Sequence, residues 1–270
     1  MTTALIDGDL MIFQVCAAAE YGIEPDDVDL DDVCRSIESR AFNIMKASGA
    51  DSKRIFLTKG NYRHFITGDY KANREGVWRP ECLKHAMSFA EAFMDAEYQQ
   101  GLEADDLLAI NQTEDTIICT LDKDLKQVDG RHYRWAHGNK DEEFANVTEG
   151  WRSLYYQGLI GDSTDGIIGC GKRVTQVYKT GAKAGQEYER RKGIGPKQAE
   201  AIINECKTEK QAFEAVLDQY YSTFGKSAGI QRFYQQMRLV HMVREFDGAY
   251  AKLYGDVWMN PATGEMRLDG

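Results

Sequence analysis

Apolar positions set two different rhythms along the chain. Thr3–Ile6 (TALI) is a short apolar run that stops at Asp7-Gly8-Asp9, which predicts a strand with carboxylates at its C-terminal end. Leu10–Ala19 reads as a helix. A longer helix is expected from about Val28 to Ala47, with apolar Val33, Ile37, Phe42, Ile44 and Met45. Arg54–Thr58 (RIFLT), Thr116–Thr120 (TIICT) and His132–Trp135 predict further strands, and a helix beginning near Glu103 leads into the third. Strands alternating with helical stretches predict an α/β fold with a mostly parallel sheet.

After Gly169 the rhythm changes. Gly171–Lys192 is glycine-rich and basic, and reads as a hairpin or loop insertion. Gly193-Ile194-Gly195-Pro196 then opens a helix over Lys197–Cys206, followed by helices over Glu209–Tyr220 and Ala228–Phe246. A last strand or extended segment is expected from Ala249. The expected division is an α/β part over 1–158 and a helical part over 159–270, closely packed, with no flexible linker.

Composition narrows this picture. A chain of 270 residues with 43% hydrophobic positions can bury one large core or two modest ones. The six cysteines are dispersed without a CxxC pair and read as reduced, buried thiols. No apolar run approaches the roughly 18 residues a membrane helix needs, and no leader is visible. A cytoplasmic protein is therefore expected. The net charge of −10 excludes a uniformly basic nucleic-acid binder but leaves room for a local basic face. The acidic run Glu24–Asp32 reads as a solvated face.

Other acids sit where segments begin or end. They are Asp7; Glu103, Asp105 and Asp106 in GLEADDLLA; Asp122 and Asp124 in TLDKDL; and Asp162 and Asp165 in GLIGDSTDGIIG. Each group has a local explanation. Acids at a helix start gain about 0.3–1 kcal/mol from the macrodipole, an Asp can cap a helix, and an acidic turn can lie at the surface. Jointly the groups imply more, because strand ends of a parallel sheet share one edge. Two unit charges about 4 Å apart repel by roughly 4 kcal/mol at an effective dielectric of 20, so such a cluster calls for cations. Oxygen donors without His or Cys suit Mg²⁺ or Mn²⁺ rather than zinc. Paired hard cations point to phosphoryl chemistry.

Two basic stretches accompany the acids. Asn61–Pro80 holds Arg63, His64, Lys71, Arg74 and Arg79, interleaved with Tyr62, Phe65, Tyr70 and Trp78. That mixture suits a single nucleic-acid strand, or a solvated loop with tucked-in aromatics. Lys172–Lys197 holds Lys172, Arg173, Lys179, Lys183, Arg190, Arg191, Lys192 and Lys197 against Glu187 and Glu189. Its Gly-Ile-Gly-Pro helix start reads as an anion site suited to a duplex phosphate, or as a plain helix start with Pro196 in the first turn; the surrounding positive charge favours the former.

In chain order, IDGD, YKANR, GLEADD, TLDKD, GDSTDGIIG and GIGPKQA resemble the flap endonuclease/5′→3′ exonuclease superfamily. The nearest likeness is to phage exonucleases of the T-odd type, which also carry a lysine- and glycine-rich insertion after GDxxD. The likeness runs from about Leu5 to Ile203. It implies a PIN-like α/β nuclease domain, its mostly parallel sheet flanked by helices, and a C-terminal helix–three-turn–helix module that grips duplex. It implies hydrolysis of DNA from 5′ ends or at 5′ flaps with two Mg²⁺ or Mn²⁺ ions, with RNA in RNA–DNA hybrids as a further substrate. A monomer serving phage DNA replication and recombination in the host cytoplasm goes with it. By position, Asp7, Glu103, Asp105, Asp106, Asp122, Asp124, Asp162 and Asp165 fall on the metal-site acids, Asp7 and Asp122 counting also as catalytic. Lys71 and Arg74 fall on catalytic basic residues of a helical arch near 61–80, and Tyr70 on an arch aromatic. Gly193, Gly195 and Lys197 fall on the phosphate-binding hairpin, where relatives often hold K⁺; Lys172 joins the DNA-binding set.

Two departures stand out. Thr58 occupies the position where relatives place another metal-site Asp, and an insertion of roughly twenty residues separates Gly169 from Gly193. Two other functions compete with the nuclease. Asp7-Gly8-Asp9 after a strand resembles the nucleophile motif of haloacid-dehalogenase-like phosphatases, and loss of an acid at Thr58 would suit a non-catalytic DNA binder.

Overall fold

A computed structural model describes residues 1–268. Along the chain run β1 (Thr3–Asp7), α1 (Gly8–Ala19), α2 (Leu30–Ala47), β2 (Ser52–Phe56), α3 (Arg63–Ile66), α4 (Leu83–Phe93), α5 (Ala104–Asn111), β3 (Thr116–Cys119), β4 (Gly130–Arg134) and β5 (Glu143–Val147). They are followed by α6 (Trp151–Ile160), β6 (Gly171–Val177), β7 (Glu187–Gly193), α7 (Pro196–Glu205), α8 (Glu209–Phe224), α9 (Lys226–Val240), β8 (Ala251–Leu253), β9 (Val257–Met259) and β10 (Met266–Leu268). These form two compact units that differ from the expected 1–158 and 159–270 segments. Arg63–Glu75 groups with Trp151–His241, and the chain from Met242 onward groups with the N-terminal residues.

The first unit is α/β. Its sheet has the order β2-β1-β3-β4-β5; β1 pairs in parallel with β2 and β3, β3 with β4, and only the edge strand β5 is antiparallel. β3 is buried at every position, as a strand covered on both faces should be. Met11, Ile12, Ile37, Ile44 and Ala86 join Ile6 and Ile55 in the core. β5 (EFANV) was not expected from the sequence; its largely exposed, mixed pattern suits an edge strand and carries little apolar periodicity. The turn from β1 into α1 depends on Gly8, where a Cβ would lie 2.6 Å from the Phe56 carbonyl oxygen.

The tail adds an antiparallel β8–β9–β10 meander rather than a single strand. Gly101 lets it close down. Its φ is +83°, and a Cβ would sit 2.0 Å from the Pro261 carbonyl oxygen. Gly101→Ala is therefore expected to cost about 3 kcal/mol or more, from backbone strain plus overlap. Urea unfolding of the variant beside the parent measures this directly.

The second unit is a helical cluster carrying the β6–β7 hairpin. Tyr220, Phe233 and Met237 are its fully buried centre; the Tyr220 hydroxyl donates to the Gly158 carbonyl at 2.6 Å, and Phe233 meets Phe213 edge-on at 5.3 Å. The segment expected as one helix to Phe246 stops at Val240. Arg63, read from sequence as an arch cation, is buried and donates to the Leu239 carbonyl at 2.9 Å and the His241 carbonyl at 2.8 Å. It satisfies the orphan acceptors at the end of α9.

Candidate active site

In the first unit the site grows from the C-terminal ends of β1 and β3. Asp7 ends β1 and is 4% exposed. One carboxylate oxygen accepts the Leu10 N–H at 3.0 Å, capping α1; the other accepts the Thr120 hydroxyl at 2.7 Å. Burial, then the nearby charge of Asp9, and more weakly that of Asp122, push its pKa from 3.8 up to about 7. Asp122 follows β3; its N–H donates to the Thr120 Oγ1 at 3.0 Å, and its carboxylate accepts the Asp124 N–H at 2.8 Å.

Thr58 lies just past β2, which ends at Phe56. Its hydroxyl accepts the Ala104 N–H at 2.9 Å, so it serves the first turn of α5, beside Glu103. The Thr58 N–H in turn donates to Asp9 Oδ1 at 3.1 Å. A carboxylate thus does stand next to the Thr58 main chain, supplied by Asp9. From the sequence, Asp9 belongs only to the phosphatase-like Asp7-Gly8-Asp9 motif and not to the metal-site acids, although a second acid two positions after Asp7 is plain there.

Asp106 is fully buried. Its oxygens accept the Glu103 N–H at 3.3 Å and the Val243 N–H at 2.9 Å, so it fixes the start of α5 and the returning tail. Glu103 is buried, Asp105 and Asp124 half-buried. Among the described residues no group of three or more His, Cys, Asp or Glu is drawn together closely enough to hold a metal ion. The donor chemistry is carboxylate oxygen throughout, which fits a hard cation such as Mg²⁺ or Mn²⁺.

Asp162 and Asp165 belong to the second unit and lie in a turn after α6. Asp162 and Ile167 exchange main-chain hydrogen bonds of 2.9 and 2.7 Å, and Asp162 Oδ1 accepts the Thr164 N–H at 2.7 Å. Asp165 holds the 69–74 segment. It accepts the Tyr70 hydroxyl at 3.0 Å, pairs with Arg74, and lies 3.7 Å from the Lys71 ammonium. The Lys71 N–H donates to the Asp165 carbonyl at 2.9 Å, and Asn73 reaches the Ser163 and Thr164 carbonyls at 3.1 Å. Tyr70 is buried in this contact, whereas Phe65 and Trp78 are exposed.

The expected phosphate turn also lies in this unit. A Cβ on Gly193 would meet the Cys170 carbonyl oxygen at 2.3 Å, while Gly195, the N-cap of α7, faces open space. Lys197 is exposed, and exposed Lys172 lies 5.0 Å above the Phe224 ring. Arg191 does not face phosphate as its charge suggested. Its guanidinium donates to the carbonyls of Ile168 (2.6 Å), Ile194 (2.7 Å) and Leu159 (2.8 Å), and burial lowers its pKa.

No protein-family model matches the chain. The exonuclease of Escherichia phage T7 is 26% identical over 227 residues, 68% of this chain and 73% of that protein. The exodeoxyribonuclease of Enterobacteria phage T3 is 24% identical over 188 residues, and the match spans 61% of each chain. The likeness is to the flap endonuclease/5′→3′ exonuclease superfamily, T-odd phage type. A solved bacteriophage T5 flap endonuclease, in a pseudo-enzyme–product complex with DNA and metal ions, matches with a TM-score of 0.54 at 15% identity over 89% of this chain and 99% of that one. A second T5 structure, co-crystallised with metal ions, matches with a TM-score of 0.51 at 15% identity over 89% and 100%. The α/β fold with its mostly parallel sheet is shared with these superfamily structures.

The raised pKa of Asp7 has a thermodynamic consequence. Between about 3.8, its ordinary value, and about 7, the folded chain binds a proton on Asp7 that the unfolded chain has lost. Stability contributed by this group therefore falls as pH rises through that window, and above it the full penalty is about 4 kcal/mol. In chelator, the urea midpoint should fall from about pH 5 to pH 8 more steeply in the parent than in Asp7→Asn.

Proposed function

We propose that the chain is a divalent-metal-dependent 5′→3′ exonuclease with flap endonuclease activity, hydrolysing phosphodiester bonds of duplex DNA from 5′ ends. The observation that supports this most is Asp7, a buried carboxyl at a sheet edge whose charge is disfavoured by burial and by the nearby Asp9 and Asp122. Asp7, Glu103, Asp105, Asp122 and Asp124 are the proposed ligands in the first unit, with Asp9 offered for the acid missing at Thr58. Asp106 is carried with them by the resemblance, beside its duty to the main chain. Asp162 and Asp165 join the set on motif order.

Two Mg²⁺ or Mn²⁺ ions, when bound, supply positive charge to the phosphate and lower the pKa of a water. The chain's own groups do the rest. Asp7, in its ionised form, would hold an ion through its carboxylate. Lys71 and Arg74 exchange Asp165 for phosphate oxygens and offset the charge that builds there. The start of α7 grips a duplex phosphate through open main-chain N–H groups near Gly195, with Lys172, Gly193 and Lys197 alongside and K⁺ as the ion that suits that turn. RNA in RNA–DNA hybrids is a further proposed substrate. The working form is proposed to be a monomer acting in phage DNA replication and recombination in the host cytoplasm. Among the described residues no helix is long and apolar enough to cross a membrane.

Digestion of a 5′-labelled duplex beside a 5′-flap substrate, with Mg²⁺, Mn²⁺ or chelator, tests the reading. Short 5′ products that require metal are expected. Binding without cutting in either metal would leave a structure-specific DNA binder instead.

A further inference from the structure

The β6–β7 hairpin has two chemically different faces, set by its register. Residues paired across an antiparallel ribbon share a face. One face carries Lys172 opposite Lys192, Val174 opposite Arg190, and Gln176 opposite Tyr188. The other carries Arg173 opposite Arg191, Thr175 opposite Glu189, and Val177 opposite Glu187. On the second face Arg191 is spent on main-chain carbonyls, and Arg173 lies 3.9 Å from Glu189. The first face has Lys172, Arg190 and Lys192 exposed, with no carboxylate among its strand residues.

Two further features shape the first face. Tyr178 and Tyr188 lie ring against ring, their centroids 4.3 Å apart, and the Tyr188 hydroxyl donates to Gln176 at 3.2 Å. These contacts stiffen the outer half of the ribbon. At the base, Arg191 ties it to Leu159, Ile168 and Ile194 in the same unit. β7 then runs through Gly193 directly into the Gly195 cap of α7. The ribbon is a mounted arm. Seven residues per strand reach about 24 Å, or about 7 base pairs of duplex.

We propose that the Lys172/Arg190/Lys192 face of this hairpin is a duplex-DNA surface that binds consecutive phosphates and lengthens the footprint begun at α7. The proposal rests on the reading of the chain as a DNA-acting enzyme. Its chemistry is charge complementarity: three cations on one face, with acids confined to the other, present a positive stripe to a polyanion although the whole chain is acidic.

The test is equilibrium binding in chelator across a salt series, on a blunt duplex of about 30 base pairs and a single strand of equal length. The Lys172→Gln/Arg190→Gln/Lys192→Gln protein should bind the duplex about 10- to 100-fold more weakly at low salt. Its slope of log K against log salt should be shallower by about 2 to 3. Gln176→Lys, which adds a cation to the same face, should steepen the slope by about 1. Arg173→Gln, on the other face, should change it by less than about 1. A duplex slope equal to the parent's in both the triple variant and Gln176→Lys would overturn the proposal, as would a loss confined to the single strand. Cleavage is scored separately on the parent protein. A parent that binds with the expected slopes but cuts nothing refutes the nuclease reading alone.

Discussion

Asp7→Asn is expected to lower the rate of duplex cleavage by about 10³-fold while making the metal-free protein more stable. The two effects share one cause. Asp7 is buried, and its charge is opposed by the loss of water and by Asp9 and Asp122. An amide keeps an oxygen for the Leu10 N–H and removes the charge, so above about pH 7 it relieves a penalty of about 4 kcal/mol. The same amide is a poor ligand for a hard cation. Single-turnover cleavage and chelator-phase urea unfolding, run on one preparation, read both effects. Loss of activity together with loss of stability would assign Asp7 to the core alone.

Asp162→Asn combined with Asp165→Asn is expected to abolish cleavage and leave duplex binding within a few-fold of the parent. Asp165 is the anchor for Tyr70, Lys71 and Arg74, and its loss frees these groups from their present partner. Arg74 is 39% exposed, so solvent screens its pair and the cost in stability should be about 1 kcal/mol. The hairpin face and the start of α7 lie outside the substituted turn and should still hold DNA. Gel-shift affinity and product release from a 5′ label distinguish the outcomes. Retained cleavage in the double variant would remove this turn from the catalytic assignment.

Much of the fold was legible because apolar rhythm and local chemistry agree. TALI and TIICT are continuous apolar runs, and they are the buried neighbours β1 and β3. The hairpin was readable from glycine and lysine content, and α7 from its Gly-Ile-Gly-Pro start. What escaped depends on partners far away in sequence. α9 was expected to continue to Phe246, but Gln127 and Asp106 take the N–H groups of Met242 and Val243 and draw the chain out of the helix. Arg63 and Arg191 looked like phosphate cations because charge is visible in a sequence and main-chain carbonyl partners are not. The same limit hid the division of labour among the acids. Asp106 turned out to fasten main chain, and Asp9 to stand beside Thr58.

A manganese-soaked crystal, with ions located by anomalous scattering, tests the central claim most directly. The account predicts density bound by the carboxylates of Asp7 and Asp122, lost in Asp7→Asn. Crystals of an actively cleaving preparation with manganese bound elsewhere and none at Asp7 would contradict it.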